Sequence, residues 1–232
     1  MPGKYGFIVL EGSLELIPEV LYDHPSVIST SNRRRKDPSS IILDKSLHYK
    51  AMKKANLPQI EKRGRPDIVH YLLLSILESP LNKLGYISSL YLHTINGEIL
   101  RIEPTTRLPK NYNRFIGLME QVLENGKVPP NSSQPLIMKI GGSLEDIVGK
   151  YHRFLVFEYG CNRIDEKCGR ELSKNGILLG IGGFPHGRIS NDILKLANNC
   201  YSLLNISVDA VSALHMILCL AENKTIGLYC LQ

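Results

Sequence analysis

The segment Lys62-Arg63-Gly64-Arg65-Pro66-Asp67 packs three cations and one carboxylate around a helix start. Two readings fit it. Asp67 in a first helical turn offsets the helix dipole, an effect of about 0.3–1 kcal/mol. Alternatively, Arg65 grips a planar acceptor or a phosphate while Asp67 accepts from a polar N–H. A second segment, TTRLPKNYNRF from Thr105 to Phe115, carries Arg107, Lys110, Asn111 and Arg114. On a helix this spacing aligns them along one face, although Pro109 leaves Arg107 just outside it. A row of cations beside Asn and Tyr suits an RNA backbone, and a plain solvated face has the same pattern. A third segment, LLGIGGFPHG from Leu178 to Gly187, is an apolar run that breaks into glycines. Pro185 stands where the dinucleotide fingerprint needs its last glycine, and no Lys-Ser or Lys-Thr follows, so neither phosphate-binding loop is present. The bare backbone calls for close approach by something else, or for a tight turn. Its later companion, YSLLNISVDAVSAL from Tyr201 to Leu214, offers Ser207 as cap of a last helix. Two strand ends there would share the carboxyl edge of a parallel sheet, where open α/β folds hold ligands. His186 reads as an exposed loop residue with no proton-transfer role. No Ser-His-Asp set, metal cluster or carboxylate pair supports hydrolase chemistry.

The elements that must position these residues follow from periodicity. Gly6 to Ile17 reads as a strand running into a helix. Ile41-Ile42-Leu43 is a short buried strand. Asp44 caps a helix to Ala55, with Leu47, Ala51 and Ala55 inward and Lys50, Lys53 and Lys54 outward. Pro66 opens a deeply buried helix to about Glu78, closed by Ser79-Pro80. Tyr86–His93 and Glu98–Glu103 are strands joined by Asn96-Gly97, and the region 84–104 is the candidate for an inserted lobe. Pro109 starts a helix with Tyr112, Phe115, Met119 and Val122 on its core side, and Asn125-Gly126 ends it. After a Pro-rich connector to Pro135, short strands and helices alternate from Leu136 to Ala221, which predicts a parallel α/β sheet.

A chain of 232 residues, 43% of them hydrophobic, can bury a core as one large domain. No apolar run approaches the ~18 residues of a membrane span. The net charge of +6 concentrates in Arg33, Arg34, Arg35 and Lys36 and in the lysines and arginines from Lys50 to Arg65. Such a basic stretch suits a phosphate backbone, and equally a solvated face with a flexible loop. The five cysteines, at 161, 168, 200, 219 and 230, include no C-x-x-C pair, so free thiols are expected and no metal site is indicated.

RGRPDIVHYLLLSILESPLN, TTRLPKNYNRFIGLMEQVL and LLGIGGFPHG, three long motifs in order, resemble the nucleolar-essential-protein family (Nep or Emg). These are pseudouridine N1-specific methyltransferases of ribosome biogenesis within the SPOUT, or alpha/beta-knot, superfamily. The likeness runs from about Ile41 to Leu220. IGGFPHG and PKNYNRFIGLMEQ look more like archaeal members, which would place the protein in the cytoplasm, against the nucleolus for a eukaryotic one. The resemblance implies a single SPOUT domain over 1–232, a mostly parallel sheet with helices on both faces, and a C-terminal deep trefoil knot. It implies S-adenosylmethionine bound bent by Val156, Gly182, Gly187, Arg188 and the loop Leu203-Leu204-Asn205-Ile206-Ser207-Val208, with the glycines admitting the ligand to the main chain. Arg65 and Asp67 would meet the target base, and Arg63, Arg65, Arg107, Lys110 and Arg114 would hold a stem-loop of small-subunit ribosomal RNA. A homodimer is implied, and the apolar last helix (Val211, Leu214, Ile217, Leu218) is consistent with a buried interface and equally with plain core, with ribosomal assembly proteins as further candidate partners. Two positions depart from the pattern: Lys110 is an arginine in some relatives, and a common Tyr-Pro pair is Ile206-Ser207 here. A different class stays open at this point, a non-catalytic RNA-binding assembly factor with a vestigial cofactor pocket.

Overall fold

In a computed structural model of the chain, residues 4–227 are described. Tyr5–Gly12 forms strand β1, all eight residues buried, as its apolar run demands of a central strand. The helix expected next does not form. Residues 13–17 stay extended because distant main chain captures them: Ser13 N–H donates to the Gly183 carbonyl at 2.8 Å and Ile17 N–H to the Ile41 carbonyl at 2.8 Å. The expected strand at Ile41–Leu43 shrinks to one bridge, Leu16 to Ile42.

Helix α1 spans Pro25–Arg34 and α2 spans Lys45–Lys54. Asp44 caps α2 as expected, accepting from Ser46 N–H at 2.8 Å. The inward face differs: Leu47 is 40% exposed, and His48 is fully buried in its place. Burial pushes the His48 pKa down to about 4, and its Nδ1 accepts the Asp44 N–H at 3.1 Å. Helix α1 ends at Arg34, and of the basic run Arg34 and Lys36 are committed inside the fold while Arg33 and Arg35 are exposed. Arg34 reaches Glu120 with two prongs, and Lys36 Nζ lies 2.7 Å from the same carboxylate, whose side chain is 0% exposed. Glu120 sits on helix α5 (Tyr112–Asn125), so the run neutralises a buried charge between helices.

Helix α3 (Pro66–Glu78) and the short α4 (Pro80–Lys83) lead to the hairpin of β2 (Ile87–Thr94) and β3 (Ile99–Ile102). The hairpin is not a separate lobe: β2 lies parallel to β1, pairing Phe7 with Leu90. The core-facing pattern of β2 continues the central sheet. Helix α5 begins at Tyr112 rather than Pro109, with Asn111 as its cap, accepting from Arg114 N–H at 3.1 Å. Arg107 and Lys110 therefore precede the helix, and the single helical face expected for the cation row is absent. Gly126, at φ 76°, ends it as expected.

Strands β4 (Lys127–Val128) and β5 (Ile137–Ile140) are antiparallel, unlike the parallel pairing expected after Leu136. Then follow α6 (Leu144–Val148), β6 (Arg153–Arg163), α7 (Glu166–Leu172), β7 (Ile177–Gly182), α8 (Asn191–Leu196), β8 (Asn199–Ser202) and α9 (Ala210–Ile226). The eight-stranded sheet has the order β4-β5-β3-β2-β1-β7-β6-β8, with β2, β1, β7, β6 and β8 parallel. Asp209, not Ser207, caps α9, accepting from Val211 and Ser212 N–H, each at 3.0 Å. Leu214, Ile217 and Leu218 are buried in the chain's own core, and Val211 is partly buried against it. The free-thiol expectation also fails. Cys161 and Cys200 form a disulfide between β6 and β8, with Cα atoms 5.6 Å apart. Cys168 and Cys219 are not disulfide-bonded, and Cys230 lies outside the described residues.

Candidate functional site

Parallel strands β6, β7 and β8 end side by side, and a cleft opens beyond their carboxyl ends, as the order of the third segment and its companion suggested. Strand β6 supplies Phe157, Glu158 and Tyr159 to the wall, β7 and its loop supply Ile181, Gly182, Phe184, Pro185 and Gly187, and the segment 202–210 closes the far side. Of the expected residues, Gly182, Gly187, Leu203, Leu204, Ile206, Ser207 and Val208 line it. Val156 does not: it is fully buried one residue before the wall begins. Asn205 is exposed beside the cleft. Arg188 stands at its rim, donating to the Tyr159 carbonyl at 2.9 Å. Sequence reasoning missed the wall residues Glu158, Tyr159 and Asp209.

Three of the glycines are required by the protein's own packing. A Cβ on Gly182 would lie 2.9 Å from Phe184 Cε1, one on Gly180 2.8 Å from Phe154 Cε2, and one on Gly183 would overlap Val9 and lie 3.0 Å from Gly12 Cα. The absent side chains leave room for the protein's own rings and for β1. Gly187, at φ +104°, additionally needs a left-handed backbone.

The cleft's lining is acidic and apolar. It contains two carboxylates, Glu158 and Asp209, and no lysine, arginine or histidine. Hydrogen bonds from Ser212, aided by main-chain N–H groups, hold the Asp209 carboxyl below the usual carboxylate range, so it is ionised at neutral pH. Apolar walls from Phe157, Ile181, Leu203 and Val208 complete a slot suited to a flat ring joined to a cationic group.

The KRGRPD segment is bolted to this cleft. Lys62 Nζ lies 2.9 Å from Glu11 Oε2 and 4.6 Å from the Phe184 ring centroid. The same Glu11 oxygen accepts the Ser190 N–H at 3.1 Å. Arg65 N–H donates to Ser13 Oγ at 2.7 Å, and Ser13 in turn holds the Gly183 carbonyl. Beyond Lys62, Arg65 binds Asp67 through Nε and Nη2, both at 2.8 Å. Each Asp67 oxygen thereby accepts one bond, a two-pronged pairing that fixes the guanidinium plane. Arg63 is turned inward, with 12% side-chain exposure, to Glu15, Asn96 and the Pro58 carbonyl. It is not offered to an RNA. Arg107, Lys110 and Arg114 are exposed. The Pro109 carbonyl, bound by His70 Nε2 at 2.7 Å, and Tyr112 Oη, 3.2 Å from Asp44 Oδ2, anchor that segment near Arg65.

The family model described as EMG1/NEP1 methyltransferase matches residues 7–222. The chain belongs to this family. It is 46% identical over 208 residues to the ribosomal RNA small subunit methyltransferase Nep1 of Staphylothermus marinus, covering 88% of this chain and 89% of that one. It is 44% identical over 220 residues to Nep1 of Saccharolobus solfataricus, covering 95% and 97%. The crystal structure of Archaeoglobus fulgidus Nep1 bound to S-adenosylhomocysteine superposes with a TM-score of 0.87 at 38% identity, covering 97% of this chain and all (100%) of that one. Membership in the EMG1/NEP1 family agrees with the α/β fold.

Proposed function

We propose that this chain is a ribosomal RNA methyltransferase that uses S-adenosylmethionine and methylates N1 of a pseudouridine in a small-subunit RNA loop. The observation that carries it is the cation-free, two-carboxylate cleft tied through Lys62 and Ser13 to the Arg65–Asp67 corner. The named activity of the Nep1 relatives supports the same reading. When bound, S-adenosylmethionine supplies an electrophilic methyl group on a positively charged sulfur. Glu158 and Asp209 favour that charge, and Phe157, Ile181, Leu203 and Val208 take the adenine. Arg65, fixed by Asp67, presents its remaining N–H donors to the extruded base, while Arg107, Lys110 and Arg114 meet phosphates. Holding nucleophile and methyl donor in line supplies much of the rate, up to about 7–11 kcal/mol in the best intramolecular cases. Two copies would pair, and the work would take place in the cytoplasm.

The experiment is methyl transfer to paired RNA loops that differ only in uridine against pseudouridine. Pseudouridine has an N1–H where uridine has its glycosidic bond, so only the former is expected to gain an N1 methyl group. Transfer to both loops would move the target to another atom. Binding of RNA without transfer to either would favour the assembly-factor reading. A companion variant addresses Asp67, whose oxygens are both engaged. Asp67→Asn is expected to keep turnover within about tenfold while weakening RNA binding. A loss of turnover beyond the ~10² typical of an absent general base would restore Asp67 as proton acceptor.

A further inference from the structure

Cations near the Arg65 corner divide into two groups. Arg34, Lys36, Lys62, Arg63 and Arg65 are each committed to a carboxylate of the protein. Arg33, next in sequence to Arg34, is exposed and holds no hydrogen bond or ion pair among the described residues. It borders a cavity of about 230 Å³ between α1, α2 and α5, which Ile42, Asp44, Leu47, Tyr112 and Ile116 also line. That volume lies under the ~300–1,000 Å³ of sites for larger ligands, and suits one flat ring.

Its chemistry is mixed in a specific way. Leu47 is 40% exposed on a helix whose pattern should turn it inward, so an apolar surface is left uncovered. Asp44 Oδ1 is taken by Ser46 N–H and Oγ, at 2.8 and 2.6 Å. Oδ2 receives one long bond, from Tyr112 Oη at 3.2 Å, and keeps capacity for another donor. A carboxylate inside the cavity and a cation at its edge match a base with an N–H edge followed by a phosphate. The cavity also adjoins the corner: Asp44 and Tyr112 both act electrostatically on Arg65, and Lys45 N–H donates to the Gly64 carbonyl at 2.8 Å.

We infer that this cavity seats an unpaired nucleotide adjoining the target in the same RNA loop, its base on Leu47 and Ile42, its N–H edge on Asp44 and its phosphate on Arg33. The inference rests on the ribosomal RNA reading above. Binding of a pseudouridine loop is measured by fluorescence anisotropy for the unaltered protein, Leu47→Glu and Arg33→Gln, alongside calorimetric binding of S-adenosylmethionine. Both changes lie on the surface, and unchanged thermal unfolding verifies the fold. Leu47→Glu is expected to weaken RNA binding about tenfold, in line with a single stacked base. Arg33→Gln is expected to lower the salt slope by about one. Donor binding stays unchanged in both. An abasic scan of the loop locates the nucleotide: one position weakens the unaltered protein and adds nothing to Leu47→Glu. Unchanged RNA affinity in both variants, or equal abasic losses in variant and parent, overturns the inference alone. Failure of the unaltered protein to bind RNA overturns the functional reading and this inference with it.

Discussion

Replacing Lys62 by alanine is expected to remove about 3–5 kcal/mol of folding stability, the cost of leaving a buried charge without its partner. The side chains of Lys62 and Glu11 are each only 7% exposed. Glu11 cannot turn to water, because its Oε2 also holds the Ser190 N–H and its backbone occupies a left-handed φ of 48°. The Phe184 ring loses its cation at the same time. The effect reaches the cleft, since Phe184, whose ring lies under the Lys62 ammonium, lines it. Urea unfolding gives the stability, and calorimetry the affinity for S-adenosylmethionine, which should fall with it. The double variant Glu11→Gln/Lys62→Met removes both charges and is expected to regain much of the loss. A Lys62→Ala midpoint equal to the parent's would show that the pair contributes nothing and that the KRGRPD segment is not anchored through it.

Reduction of Cys161–Cys200 is expected to cost about 4 kcal/mol, the loop-closure value for its sequence separation of 39 residues. The bond closes an irregular stretch of β6. Phe157 and Asn162 both pair with Tyr201 of β8, so residues 158–161 bulge from the ladder, and Glu158 and Tyr159 of that bulge line the cleft. Arg188, through the Tyr159 carbonyl, and Glu158, through Ile189 N–H, tie the bulge to the glycine loop, and the disulfide ties it to β8. Thermal and urea unfolding with and without reductant, and of Cys161→Ser/Cys200→Ser, measure the effect. Reductant should lower the parent's midpoint and leave the double variant's unchanged. Equal midpoints for oxidised parent and double variant would remove the bond from any stabilising role.

The sequence by itself determined whatever depends on near neighbours in the chain. Pro66 and Asp67 start α3, Asp44 caps α2, and Asn96-Gly97 turns the hairpin, because each acts through backbone groups a few residues away. The three motifs were also legible as motifs, and the place of the cleft at the strand ends followed from the alternation of elements. Tertiary structure decided the rest, because it depends on charges and contacts brought from far along the chain. Arg33, Arg34 and Lys36 read alike in a row, yet a glutamate more than eighty residues away takes two of them. Arg63 and Arg65 diverge in the same way, one buried on Glu15 and one aimed outward on Asp67. The disulfide required β6 and β8 to become neighbours, and residues 13–17 gave up a helix for main-chain partners across the fold. The glycines of LLGIGGFPHG were visible from the start, and their reason was not: the side chains that exclude a Cβ there, Val9 and Phe154 among them, come from strands that only folding brings alongside.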